Sequence, residues 1–205
     1  MKIRQANRGD AKALGQLVFS SAPSLLAAIF DINDKFSAIK FLQNSLSTAD
    51  GQYGYANHWV TEIDNKVVAC LSTWHSDLAA SFHQATLTQL TNFYGIAHAL
   101  SVVQASLALQ DCIPKPKEYE LCIGHFAVLS EYQKHGIATD LLGFTQKLAI
   151  ASGKSTLCLD VESTNSQAIN FYLNRDFIQE SESDISQRMQ TLAIGSHLHL
   201  SKESI

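Results

Sequence analysis

LCIGHFAVLSEYQKHGIATDLLGFTQKLAIASG, residues 121–153, sets the frame for reading the chain. An apolar run, Ile123 to Leu129, leads into a short polar turn. Gln133-Lys134-His135-Gly136-Ile137-Ala138 follows, and then Leu141, Leu142, Phe144, Leu148 and Ala149 recur at helical spacing. A strand, a small-residue loop and a helix in that order present backbone N–H groups and a helix N-terminus to an anion. Gly136 and Ala138 leave room for a ligand to approach the backbone closely.

The pattern continues downstream. Ser155–Glu162 reads as a buried strand, with Leu157, Leu159 and Val161 apolar and Cys158 between them. Asn165-Ser166-Gln167-Ala168-Ile169-Asn170-Phe171-Tyr172 comes next, then Phe177. The order Gln-x-x-Gly-x-Ala at 133–138 resembles the acyl-CoA pyrophosphate loop of the GNAT N-acetyltransferase superfamily. Asn165 with the Ala168-x-x-Phe171-Tyr172 run resembles that family's second signature. Residues 1–7 followed by Asp10, Leu14, Leu17 and Val18 resemble its opening strand and capped helix. The resemblance covers residues 1–76 and 119–178.

It implies an α/β (α+β) fold: a mixed, mostly antiparallel twisted sheet of six to seven strands, flanked by helices. The whole of 1–205 then reads as one acyl-CoA N-acyltransferase domain, with a helical insertion at about 77–113 between strands three and four. The implied activity is transfer of an acetyl group from acetyl-CoA to a primary amine by direct attack in a ternary complex. The alternative is a non-catalytic acyl-CoA-binding sensor or partner-binding module on the same fold. By the same resemblance, backbone N–H groups at a bulge in strand four, around Phe126, Ala127 and Val128, meet the thioester carbonyl. The pyrophosphate falls to Gln133, Lys134, His135, Gly136, Ile137, Ala138 and Thr139, and the pantetheine arm or adenosine side to Asn165. Tyr172 lies seven residues after Asn165, two helical turns on, and is expected to protonate the leaving thiolate.

The general base stays open at this level. The position where some relatives carry a glutamate is Cys122 here. Glu120, two residues earlier on the same strand face, is the expected substitute, with His125 or water as alternatives. His135 stands where relatives often carry Arg or Gly, which leaves Lys134 as the nearby cation.

Composition agrees with an ordinary globular protein. Of the 205 residues, 46% are hydrophobic and 17% charged, too apolar for a disordered chain. A net charge of −4 argues against nucleic acid as the main partner. MKIRQANRGD has no apolar signal-peptide core, and no run approaches the roughly 20 apolar residues of a membrane span, so a cytoplasmic protein away from membranes is expected. Cys70, Cys112, Cys122 and Cys158 lack C-x-x-C spacing and read as reduced core thiols. No metal is expected: His197 and His199 share a strand face, but one pair is two ligands short of a structural zinc site. Gly153-Lys154-Ser155-Thr156 imitates the end of a P-loop, yet Leu148 occupies the required glycine position and the strand–helix order is reversed.

Residues 78–110 contain no Asp, Glu, Lys or Arg over 33 positions. Phe93, Ile96, Leu100, Val103 and Leu107 recur at three- and four-residue steps, and Gly95 is expected to split the helix. This insertion reads as packed on its own sheet, or else as an acceptor-site lid or a homodimer surface. The amine acceptor, a small molecule or a peptide, is not specified by the sequence.

Overall fold

The computed structural model describes residues 1–204. Seven strands form one sheet: β1 (Lys2–Gln5), β2 (His58–Ile63), β3 (Lys66–Trp74), β4 (Glu120–Val128), β5 (Thr156–Glu162), β6 (Ile178–Glu182) and β7 (His197–Glu203). Their spatial order is β1-β2-β3-β4-β5-β7-β6. All neighbours are antiparallel except β4 and β5. That mixed, mostly antiparallel sheet of seven strands is the expected one. The hairpin β2–β3 turns on Asp64 and Asn65, both at positive φ, where Asn and Asp are better tolerated than branched residues.

Helices α1 (Ala11–Ser21), α2 (Pro23–Phe30) and α3 (Ala38–Ser45) pack on one side of the sheet's first half. The first helix enters differently from the reading above. Asp10 stands at the N-cap position of α1 without a side-chain cap bond to it, and Asn7 caps the 3₁₀ turn Arg8–Asp10 before it, its side chain accepting from the N–H of Gly9 in a capping box. The Asp10 carboxylate accepts from the Asn7 N–H in that box and also from Arg4, with bonds of 2.7 and 2.9 Å, and Arg4 also holds Glu62 on β2.

The insertion is α4 (Ala80–Ser106) and α5 (Leu109–Cys112). At Gly95 (φ 73, ψ 163) α4 breaks, as the sequence suggests, because a residue with a Cβ resists that conformation. The insertion packs on α2 and α3 rather than on the sheet. Leu90, Tyr94, Ala99 and Val102 enter the same core as Phe30 and Phe41, and the Tyr94 hydroxyl donates to the Phe30 carbonyl at 2.7 Å.

The second half is a separate core. Helices α6 (Ile137–Ala151) and α7 (Ser166–Leu173) cover Leu121, Ile123, Leu157, Leu159, Val161, Leu198 and Leu200, one face of β4, β5 and β7. The short α8 (Gln187–Thr191) seats Met189 against Ala108, Cys112 and Ile194 on another side. His197 and His199 are buried because β7 runs between β5 and β6.

Candidate active site

Strands β4 and β5 run parallel and stay registered only from Glu120↔Thr156 to Cys122↔Cys158; beyond that they separate. Parallel neighbours that diverge leave unpaired backbone on both edges and an opening between them. The opening is widened by a bulge. Cys70 pairs with Ala127 and Ser72 with Gly124, so β4 carries one extra residue at His125–Phe126. His125 sits at φ 47, the left-handed region, which turns its ring out of the normal alternation.

Two cavities open around this fork, and each falls within the size range of small-molecule sites. One, of about 770 Å³, is lined by Phe126, Ala127, Val128, Gln133, Lys134, Gly136, Ile137, Ala138, Thr139, Asn165, Tyr172 and Arg175, among others. Its mouth is the loop before α6. Gly136 (φ 83) is the residue before the helix, and a Cβ added there would meet nothing within 4 Å. The space over it is open. Lys134 is also left-handed, at φ 63. Gln133 N–H bonds back to Ser130, and Asp140 N–H is the first to enter the helical ladder. Among the described residues, the N–H groups of Lys134 through Thr139 have no protein acceptor. Such a run at a helix N-terminus suits a diphosphate.

The second cavity, of about 580 Å³, lies on the other side of the bulge. Ser20 and Ser21 from α1, Phe82 and His83 from α4, and Ile113 to Pro116 enclose it, with Gly124, His125, Asp160, Glu162 and His197 on the sheet side. Both ends of the uncharged insertion therefore roof it. The two cavities share Ser20, Ser21, Phe126, Asn165, Ala168 and Tyr172, so they join where the bulge faces α7.

Tyr172 is buried, with no protein partner for its hydroxyl among the described residues, and burial holds its phenol above the ordinary range. Asn165 caps α7, its Oδ1 accepting from Ala168 N–H at 3.1 Å, which leaves its amide NH₂ for another acceptor. His135 is exposed and lines neither cavity.

Glu120 is not at the fork's opening. Its carboxylate accepts from the backbone N–H of Lys117 at 2.7 Å, lies 3.3 Å from that residue's Nζ, and lines neither cavity. His125 lines the second cavity, together with His83, Asp160, Glu162 and His197. His58 Nδ1 lies 2.8 Å from the Gly54 carbonyl and His58 Nε2 lies 2.9 Å from His125 Nδ1. A carbonyl can only accept, so His58 carries its proton on Nδ1 and its bare Nε2 accepts from His125 Nδ1–H. His125 Nε2 is thereby left unprotonated. Burial lowers the His58 pKa to about 4, against the Gly54 carbonyl, which raises it. Burial, then the neighbouring His58, lowers that of His125 to about 3. Both rings are neutral at physiological pH.

The residue-by-residue reading missed Arg175. Three residues after Tyr172, it lies on the same cavity, stacked 3.9 Å over Phe171 and bonded at 2.9 Å to Thr139 Oγ1, with a buried Nε that has no partner. The i, i+3 spacing from Tyr172 was the available signal. Lys154, the decoy P-loop lysine, is tied to Asp77 and to the Glu118 carbonyl and anchors the start of the insertion.

Three solved structures share this architecture. An N-acetyltransferase from Staphylococcus aureus Mu50 aligns over 98% of this chain and 100% of its own at 19% identity, with a TM-score of 0.72. A ribosomal-protein-alanine N-acetyltransferase from Brucella melitensis aligns over 99% of both chains at 15% identity, TM-score 0.57. An acetyltransferase from Salmonella typhimurium, whose structure holds its cofactor acetyl-CoA, covers 100% of this chain and 94% of its own at 14% identity, TM-score 0.55. At these identities the likeness is one of fold. No curated protein sequence matches the chain. The sequence profile of the Acetyltransferase (GNAT) family, however, matches residues 27–177, most of the 205, and the chain belongs to that family.

Proposed function

We propose that the protein is an N-acetyltransferase that moves an acetyl group from acetyl-CoA to a primary amine within a ternary complex. The observation that carries this is the joined pair of cavities: a run of unpartnered N–H groups at one end, a neutral histidine at the other, and Tyr172 where they meet. Bound acetyl-CoA supplies an acetyl group already activated as a thioester.

Lys134 to Thr139 hold the diphosphate through their N–H groups, with Lys134 and Arg175 as the cations. Asn165 orients the pantetheine arm with its free amide. The bulged backbone of Phe126 to Val128 faces the thioester carbonyl, where a donor counts most as negative charge develops. The acceptor amine enters the second cavity. As its nitrogen forms the new N–C bond, His125 Nε2 takes the proton, and the C–S bond breaks with Tyr172 donating to the sulfur. The His58–Gly54 contact keeps the basic nitrogen of His125 turned away from the relay, in the way an orienting group does in a catalytic triad. Glu120 is committed to Lys117 on the closed side of the fork, so the base role passes from it to His125.

Calorimetry with acetyl-CoA, followed by free-thiol release on addition of a library of amines, tests the reading. Saturable binding at one site with amine-dependent thiol release is expected. Binding with no release for any amine would assign the non-catalytic module instead, and no binding at all would overturn both.

A further inference from the structure

On the face of β4, β5 and β7 opposite the apolar one lies a cluster to which the proposed reaction gives no role, although its Asp160 also lines the second cavity. Side chains alternate along each strand, and the registers Cys122↔Cys158, Cys158↔Ser201 and Asp160↔His199 place Glu120, Cys122, Cys158, Asp160 and His199 on one side of the sheet. One ligand atom each from Glu120, Cys158 and His199 lies within 4.8 Å of the other two, and all three residues are buried. Cys122, also buried, is joined to Cys158 by a disulfide, with a Cα–Cα distance of 4.6 Å. The expectation of four reduced thiols is corrected for this pair, since the parallel register sets the two side chains opposite one another. Cys70 and Cys112 remain free.

Two further observations point to a cation. His199 Nδ1 is 2.9 Å from Asp160 Oδ1, which leaves Nε2 as its coordinating atom; metal-bound imidazoles are oriented by a carboxylate in this way. The Asp160 side chain is only 4% exposed, and its other oxygen, Oδ2, is buried without a partner. Two buried carboxylates therefore share this face with His199, which pairs with Asp160, and with Lys117, which pairs with Glu120 and is itself half in solvent. Buried negative charge of this kind calls for a compensating ion.

We propose that the reduced protein holds one zinc ion between Cys122, Cys158, His199 and Glu120, and that the disulfide and the metal are alternative states of the same two cysteines. Two sulfurs, one imidazole nitrogen and one carboxylate oxygen form the mixed donor set zinc takes in tetrahedral sites. Four protein ligands leave no open position, so the ion staples β4, β5 and β7 on the closed side of the fork and takes no part in acetyl transfer. Entry requires a dithiol reductant: the S–S bond breaks, Cys122 and Cys158 become thiols, and the reductant closes to its own disulfide. Each thiol then loses its proton on coordination, so one zinc ion releases two protons. One Glu120 oxygen turns to the metal while the other stays on the Lys117 N–H.

The test is a titration of the full chain with Zn²⁺ and Co²⁺, once after dithiol reduction and once oxidised, with free thiols counted in each sample. After reduction, one equivalent of metal is expected, with a thiolate-to-cobalt charge-transfer band and the intense visible bands of a tetrahedral ion. Oxidised protein should show neither. Cys158→Ser should lose the charge-transfer intensity, His199→Gln should weaken binding at least about tenfold, and Cys70→Ala should change nothing. Reduced wild type with four free thiols that binds no metal would overturn the proposal, and because that arm needs no variant, a misfolded mutant cannot obscure it. A cobalt spectrum unchanged in both His199→Gln and Glu120→Gln would overturn the ligand set. The readout is metal binding, so it stands or falls apart from the acetyltransferase reading.

Discussion

The tautomer of His125 is fixed two hydrogen bonds away, by the carbonyl of Gly54. Gly54 is itself constrained: a Cβ there would collide with the carbonyl oxygens of Ala49 and Asp50. His125→Gln keeps a donor toward His58 but removes the basic nitrogen. We expect kcat/KM to fall on the order of 10²-fold with acetyl-CoA affinity unchanged, measured by thiol release beside calorimetry. Tyr172→Phe should lower kcat by a similar factor and leave acetyl-CoA binding within about twofold; unchanged turnover would remove Tyr172 as the acid. The histidine pair also predicts a pH dependence of stability. Both folded pKa values lie below the ordinary 6.5, so the folded state binds fewer protons than the unfolded one in acid. Their contribution is whole above pH 6.5 and drains as pH falls from there toward about 4. Urea titrations across that window should show the loss in wild type and a flatter profile in a His58→Gln, His125→Gln double variant.

At the scale of the element, the decisive unit is the loop into α6. Its N–H groups are unpaired because Gly136 and Lys134 both adopt left-handed backbone, which points successive amides outward instead of into the ladder. Gly136→Val introduces a branched side chain at φ 83 and fills the open space above the loop. Acetyl-CoA binding should weaken by at least about a hundredfold, while the melting point shifts by only a few degrees; retained tight binding would remove this loop from the cofactor site. The insertion carries a different lesson. Its apolar residues divide between the core beside Phe30 and Phe41 and an open stripe in which Ile96 and Leu100 are 75% and 60% exposed. Its two ends also line the second cavity.

For the whole molecule, stability rests on four apolar clusters, the two largest of which both draw on β4. Phe41, fully buried in the first core among Phe30, Tyr53, Phe93 and Tyr94, should cost about 3–5 kcal/mol when changed to Ala, read by chemical denaturation. Arg4 ties β1 to β2 and to the turn before α1 through Asp10 and Glu62. Burial pushes the Asp10 carboxyl up, and the Arg4 hydrogen bond, the Asn7 N–H and the Arg4 charge together outweigh it, holding it below the usual range. The sign is that of a depressed acid: the contribution is present above the ordinary carboxylate pKa of 3.8 and is lost as pH falls below it. Arg4→Ala should remove about 2 kcal/mol at neutral pH and much less near pH 3.

What the sequence determined by itself was everything local. The strand–loop–helix of 121–153, the Asn165 to Tyr172 helix, the hairpin at Asp64-Asn65 and the break at Gly95 are written in periodicity, turn chemistry and glycine placement, each set by neighbours a few residues apart. Only the tertiary structure decided which polar groups meet. That His58 and His125, 67 residues apart, form a relay depends on a bulge and a strand register. That Glu120 is tied up by Lys117, that Arg175 reaches Thr139, and that Cys122 faces Cys158 and His199 faces Asp160 depend on how β4, β5 and β7 are laid side by side. Registers of that kind are chosen by burial of whole faces, and no single stretch of the chain encodes them.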